Sequence, residues 1–254
     1  MILLIDAGNS RIKWGCLVGG MLQPGEAIAH HGEVTDIQVL SLAWVPLPRP
    51  ERIIAVNVLG SDFGEALEAW VEETWGLAIE FVTAQANACG VVNAYHEPAR
   101  LGADRWASLI AAHRLCDGTA CVIDCGTALT IDVLAQDGEH LGGLIVPGLS
   151  LMRHALIERT AGIRPVAGLD PDPDTGVSLL ARDTAGGVMG GTLYALVAAI
   201  DRIAEDIRAT MATEVECLLT GGDAGMVRTL LTGVYRYEPD LVLKGLAVVA
   251  GDEA

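Results

Sequence analysis

The strongest constraint on how this chain folds is a pattern that occurs twice, nearly half the chain apart. Met1 to Lys13 reads Met-Ile-Leu-Leu-Ile-Asp-Ala-Gly-Asn-Ser-Arg-Ile-Lys: an apolar run, an aspartate, a turn of small residues and a second run. Cys121 to Asp132, Cys-Val-Ile-Asp-Cys-Gly-Thr-Ala-Leu-Thr-Ile-Asp, repeats it, so that Asp6-Ala7-Gly8-Asn9-Ser10 aligns with Asp124-Cys125-Gly126-Thr127-Ala128. Short β-branched runs around a Gly-containing turn predict a strand, tight turn, strand hairpin. A repeat this long is no solenoid and predicts two similar domains, divided here as 1–115 and 116–254, each giving one acid-cornered hairpin to a shared cleft. Taken singly, such a stretch reads more readily as a plain hairpin with an Asp at its corner, which is common. The chemical reading is that turn N–H groups, with the hydroxyls of Thr127 and Thr130, hold a phosphate while the carboxylate positions a cation.

Composition narrows the partners. Over 254 residues, 51% hydrophobic and 19% charged describes a globular chain with enough length to bury a core in each half. The formal net charge is −17, and the only lysines are Lys13 and Lys244. A broad basic surface for nucleic acid or an anionic membrane is thereby excluded; the charge of a nucleotide ligand has to be met locally. The cysteines form no Cys-x-x-Cys pair and read as buried thiols of a reducing compartment. With no basic leader before Ile2 and no apolar run approaching about 18 residues, the expectation is a soluble cytoplasmic protein. Glycine pairs at Gly142-Gly143, Gly186-Gly187, Gly190-Gly191 and Gly221-Gly222 are expected at turns that a ligand approaches closely.

Read in order, the first half alternates β, α, β, the pattern of an α/β domain. Lys13 to Val18 returns as a strand, 41–52 with its prolines reads as a loop, and Ile53 to Val58 as a buried strand. Asp62 to Trp75 reads as a helix with a capping box at Asp62 and Glu65 and a stop at Gly76, then Leu77 to Thr83 as a strand. Leu101-Gly102-Ala103-Asp104-Arg105 leads into a helix ending near Gly118. Asp in a first turn is favoured by the helix dipole for structural reasons alone, whereas Arg is not, and on spacing Asp104 reads equally as a structural or a catalytic residue. A carboxylate beside a Gly approach can accept a hydroxyl proton, as phosphoryl transfer requires. Further on, Leu149 to Thr160 and Thr192 to Arg208 read as helices, Val215 to Leu219 as a strand, Thr220 to Asp223 as a turn, and Leu241 to Val249 as a closing helix. The Asp170-Pro-Asp-Pro-Asp174 run reads as a solvated loop.

Together, Asp6-x-Gly-Asn-Ser, Gly102-Ala103-Asp104-Arg105, Asp124-x-Gly-Thr-Ala, His140-Leu-Gly-Gly-Leu-Ile-Val-Pro-Gly148 and Leu219-Thr-Gly-Gly-Asp223 resemble the type III pantothenate kinases. These belong to the actin-like and sugar-kinase ATPase superfamily. The resemblance implies an α/β fold of two ribonuclease-H-like domains with mixed sheets flanked by helices, and a homodimer. It implies that Asp6, Ala7, Gly8, Asn9, Ser10, Arg11, Ile12 and Lys13 surround the ATP phosphates, with Asp6 near magnesium and Thr127 touching ATP. Asp124 is implied to hold a monovalent cation, K+ or NH4+. Tyr95, Gly102, Ala103, Asp104, Arg105 and Thr184 are implied to bind pantothenate, with Asp104, ionised beside Arg105, as general base on its primary hydroxyl. Ser10 stands where many members have Thr, Cys125 where Phe is common and Leu129 where Thr is common; Ala55 to Gly60 also departs from the family's small-residue turn. Other readings are a superfamily member acting on a sugar hydroxyl or polyphosphate, and a regulatory protein. A P-loop kinase is excluded, since no Gly-x-x-x-x-Gly-Lys is present.

Overall fold

The computed structural model describes residues 1–30, 37–163 and 179–252; the Asp170 to Asp174 run lies outside them. β1 (Ile2–Ala7) pairs antiparallel with β2 (Arg11–Val18), Asp6 opposite Lys13. Gly19 and Gly20, at φ 58° and 78°, turn the chain into β3 (Met21–Ala29), which pairs with β2 at the sheet edge. The sequence reading misses β3 because Pro24, Gly25 and Glu26 look like a loop, but an edge tolerates Pro. α1 (Ile37–Trp44) occupies the start of the expected 41–52 loop, because Leu40 and Trp44 are fully buried and Trp44 packs edge-on against Trp14 at 5.7 Å. β4 (Arg52–Asn57) then runs parallel to β1.

α2 (Ser61–Trp75) ends at Gly76 in the left-handed conformation, as its sequence predicts, but it starts from Gly60 with no side-chain cap, so the expected capping box is not formed. β5 (Glu80–Phe81) is a short parallel addition to β4, shorter than the strand expected over 77–83. A small hairpin of β6 (Asn87–Ala88) and β7 (Val91–Val92) and a 3-10 turn at Pro98–Arg100 lead into α3 (Ala103–Leu115).

The second half repeats the plan. β8 (Thr119–Cys125), β9 (Ala128–Leu134) and β10 (His140–Pro147) are followed by α4 (Leu149–Arg159) and α5 (Thr184–Thr210). β11 (Val215–Thr220), α6 (Ala224–Val227), β12 (Arg236–Tyr237) and α7 (Leu241–Asp252) complete it. The strand orders are β3-β2-β1-β4-β5 and β10-β9-β8-β11-β12, the same order twice. The fold is therefore α/β with two mixed sheets flanked by helices, as the sequence repeat predicts.

α5 starts eight residues before the helix read from sequence, and the Gly186 to Gly191 pairs lie inside it rather than at turns. Asp183 caps it by accepting the Gly186 N–H at 2.8 Å, and Gly190 is buried. Satisfying an orphan donor offsets part of what glycine costs in a helix. By length and composition α5 could cross a bilayer; 44% of its apolar window is buried within the protein.

Two compact units emerge: Met1–Asp117 with Val133–Gly142 and Asp240–Ala254, and Gly118–Asp132 with Gly143–Pro239. In the first, strict alternation loads both sheet faces. Leu3, Ile5 and Ala7 join the α1 and α2 side, while Leu4, Ile54 and Val56 join Ala107 of α3 and Val242, Leu243 and Leu246 of α7. This apolar face is why the C-terminal helix belongs with the N-terminal sheet, a return that the division at residue 115 does not include. α7 meets α3 backbone to backbone, with no space for a Cβ at Gly245 against the Ala107 carbonyl. Because backbone cannot yield as a side-chain tip can, Gly245→Ala is expected to destabilise the chain by about 1–3 kcal/mol. Urea unfolding at pH 7 measures it; an unchanged midpoint contradicts the packing described.

Candidate active site

Alternation places Asp6 on the same face as Leu4, the face covered by α3 and α7, and at the C-terminal end of the central strand. Lys13, directly opposite Asp6, emerges on that face too, and its Nζ is 3.2 Å from Asp240 Oδ1, each side chain about three-quarters buried. The turn between them closes with the Gly8 N–H donating to the Arg11 carbonyl at 3.1 Å, and a Cβ on Gly8 would stand 3.1 Å from that oxygen. Ala7 and Ile12 are fully buried, so only their backbone can serve a ligand, whereas Asn9 and Arg11 are exposed. His30, just beyond β3, closes over the turn: its Nε2 lies 2.8 Å from the Gly8 carbonyl and its backbone N–H donates to the Ser10 carbonyl at 2.9 Å.

At the N-terminus of α3, the Asp104 carboxylate folds back over Gly102. A Cβ there would sit 2.5 Å from Asp104 Oδ1, and the same oxygen accepts the Arg105 N–H at 2.8 Å. Asp104 is only partly buried. Arg105 is the buried partner, at 7% exposure. Its Nη1 donates to Tyr95 Oη at 3.0 Å and its guanidinium carbon lies 5.7 Å from the Tyr95 ring centroid, a contact that also draws on the ring's negative face. The Tyr95 ring also stacks on His140, at 6.2 Å and 17°. Asn93 holds this loop: its Oδ1 accepts the Tyr95 N–H, and its Nδ2 donates to the carbonyls of Gln85 and Pro98.

A cavity of about 470 Å³ opens where β4 and β5 end, lined by Asn57, Ser61, Phe81, Thr83 and, from α3, Ala103. Crevices at the carboxyl ends of parallel strands are where α/β sheets take ligands. Its floor explains the unusual Ala55 to Gly60 segment. Asn57 Oδ1 accepts the Leu59 N–H and its Nδ2 donates to the Gly60 carbonyl, a side-chain-closed turn that small residues could not make.

In the second unit, Asp124 ends β8 and the Gly126 N–H donates to the Ala128 carbonyl to close the turn holding Thr127. Two further turns press on it. Gly148 donates to the Thr127 carbonyl at 3.0 Å and Asp223 to the Cys125 carbonyl at 2.9 Å. A Cβ at Gly221 would fall on the Asp124 carboxylate and the Cys125 backbone, and one at Gly148 on the Gly126 and Thr127 backbone. Cys125 and Leu129, the departures from the common pattern, are buried core residues. Burial, then the charges of Asp124 and Asp223, push the Cys125 thiol well above its ordinary range, so it stays protonated.

Thr184 is the exposed first residue of α5, next to the Asp183 cap. The structure thus assembles Asp6 to Lys13, Tyr95 and Gly102 to Arg105 in one unit, and Asp124, Thr127 and Thr184 in the other. Among the described residues no group of three or more His, Cys, Asp or Glu is placed to hold a metal ion. The sequence reading did not single out His30 or His140 as side chains of the site. A lone histidine carries no spacing signal, and only the fold brings each to its partner.

The chain matches known proteins over most of its length. The profile of the family described as type III pantothenate kinase matches residues 2–206. The chain is 44% identical to the type III pantothenate kinase of Nitrosococcus oceani, over 99% of this chain and 94% of that one. It is 39% identical to that of Alkalilimnicola ehrlichii, over 98% and 97%. A solved structure described as a 2-dehydro-3-deoxygalactonokinase from Sinorhizobium meliloti matches with a TM-score of 0.55 at 17% identity, over 99% and 98% of the two chains. A chain of the PilM–PilN type IV pilus biogenesis complex matches with a TM-score of 0.57 at 12% identity, over 100% and 99%. At such identities the likeness is one of fold alone.

Proposed function

The chain belongs to the type III pantothenate kinase family and phosphorylates pantothenate with ATP, the opening step of coenzyme A biosynthesis, and we propose that Asp104 is the general base of that transfer. The observation that supports this role is the Asp104 carboxylate itself, turned back over Gly102, partly open to solvent, on the helix whose first residue lines the 470 Å³ cavity. It accepts the proton of pantothenate's primary hydroxyl as that oxygen bonds to the γ-phosphorus and the bond to the bridging oxygen of ADP breaks. Little covalent chemistry is needed, so rate comes from holding the hydroxyl in line and stabilising phosphoryl charge. Arg105, locked by Tyr95, serves pantothenate as a planar donor fork.

The turn from Asp6 to Lys13 takes the ATP phosphates through backbone N–H groups, with Arg11 free to swing in and Lys13 exchanging Asp240 for phosphate. The Asp6 carboxylate fits Mg2+, which keeps waters and phosphate oxygens as most of its shell and needs only one or two carboxylates from the protein. Asp6 would hold it; when bound, Mg2+ neutralises charge on the transferred group. Asp124, crowded by the turn at Gly221, takes a monovalent cation such as K+ or NH4+ in this reading, with Thr127 beside it on ATP. The two compact units correspond to the two ribonuclease-H-like domains in this reading, and the enzyme works in the cytoplasm where ATP is supplied.

A homodimer in which Thr184 meets pantothenate completes the proposal. Its support is the exposed apolar side chains Leu144, Ile145 and Leu151 in the unit that carries Thr184. Light scattering of the purified protein is expected to give twice the chain mass, which Ile145→Glu lowers to one; a wild-type monomer at assay concentration refutes it. For the base, Asp104→Asn is expected to cut kcat by about 100-fold to 10,000-fold while ATP affinity stays within about twofold. Full turnover by the folded variant removes Asp104 from the role.

A further inference from the structure

We infer that His30 is a positioning residue for ATP: it fixes the peptide planes of the phosphate turn so that the turn presents N–H groups, not carbonyls, to the nucleotide. The inference rests on the phosphate reading of Asp6 to Lys13. Two contacts carry it, and they bracket Asn9 at the tip of the turn. The His30 ring meets the carbonyl of Gly8, one residue before Asn9, and the His30 backbone N–H meets the carbonyl of Ser10, one residue after it.

The consequence follows from peptide geometry. In a planar trans peptide the carbonyl and the next N–H point in opposite directions. A Gly8 carbonyl held on His30 therefore turns the Asn9 N–H to the far side of the turn. Left unheld, a Gly-Asn peptide flips easily, because glycine tolerates both orientations, and a flipped plane would turn an acceptor oxygen toward an anion. The ring chemistry agrees with a fixed role. Since a carbonyl can only accept, Nε2 carries the proton and donates. Among the described residues Nδ1 has no hydrogen-bond partner, and His30 is only 8% exposed. An orphaned buried acceptor costs stability, and a side chain kept for packing alone would be apolar there. Its other ring nitrogen does one thing, which is to hold Gly8.

His30 touches neither the transferred phosphoryl group nor pantothenate in this account, so its loss acts on one substrate only. His30→Leu, of similar bulk and without the donor, is expected to raise the KM for ATP roughly threefold to tenfold, the worth of one hydrogen bond. The KM for pantothenate stays within about twofold of wild type on the same basis. His30→Gln, whose amide donor reaches a similar distance, restores the ATP KM. Equal rises in both KM values, an unchanged ATP KM in His30→Leu, or no rescue by Gln overturns the inference. If His30→Leu does not fold, His30→Gln decides alone: an ATP KM near wild type supports the role and a raised one refutes it. Ser10→Ala and Lys13→Met separate this from its premise. Should both leave the ATP KM unchanged, the phosphate turn itself is misassigned; should they raise it while His30→Leu does not, His30 alone is.

Discussion

Everything placed at the site depends on β1 lying in the middle of its sheet. Hydrogen-bonded to β2 on one side and β4 on the other, it must bury both faces, and alternation sends Leu3, Ile5 and Ala7 one way and Leu4 the other. Asp6 is the first polar residue in the Leu4 series, and it arrives where the strand ends and the apolar cover from α3 and α7 gives way. A carboxylate in mid-strand would be buried at a cost of several kcal/mol; at the strand's end Asp6 is only partly buried. The same order of strands in the second sheet brings Asp124, also only partly buried, to the end of β8.

The helix that carries Asp104 is fixed from the opposite direction. α3 is gripped by α7 through the glycine contact at Ala107, and its first turn is tied to Tyr95, which Asn93 and His140 hold in turn. The base role proposed for Asp104 would gain from such a mounting, since positioning supplies most of the rate of a phosphoryl transfer. The second hairpin is held differently, by three backbone turns so close that glycine alone fits at two of them.

The hairpins and the helices were legible in the sequence wherever one local rule decided the outcome. The two Asp-x-Gly turns, the left-handed stop at Gly76 and the apolar stripe of α5 are of this kind. What failed to show was decided by tertiary context. β3 is polar and carries Pro24, and only the edge of the sheet makes it a strand. Gly186 to Gly191 looked like turns until the Asp183 cap made them the first turns of a helix. Arg105 gave no hint that Tyr95, ten residues earlier, would take its guanidinium, and His30 gave none that Gly8 would take its ring. Local signals placed the aspartates; the groups that hold them in position came from elsewhere in the chain.

The central claim is that this site moves a phosphoryl group from ATP to the primary hydroxyl of pantothenate and not to another acceptor. Phosphorus NMR of reactions offering pantothenate, a hexose and polyphosphate in competition, with Mg2+ and K+ present, tests it directly. The account predicts a single new phosphomonoester coupled to the methylene of pantothenate's hydroxyl end, appearing as ADP forms. A sugar phosphate or free phosphate in its place, with pantothenate untouched, would contradict it.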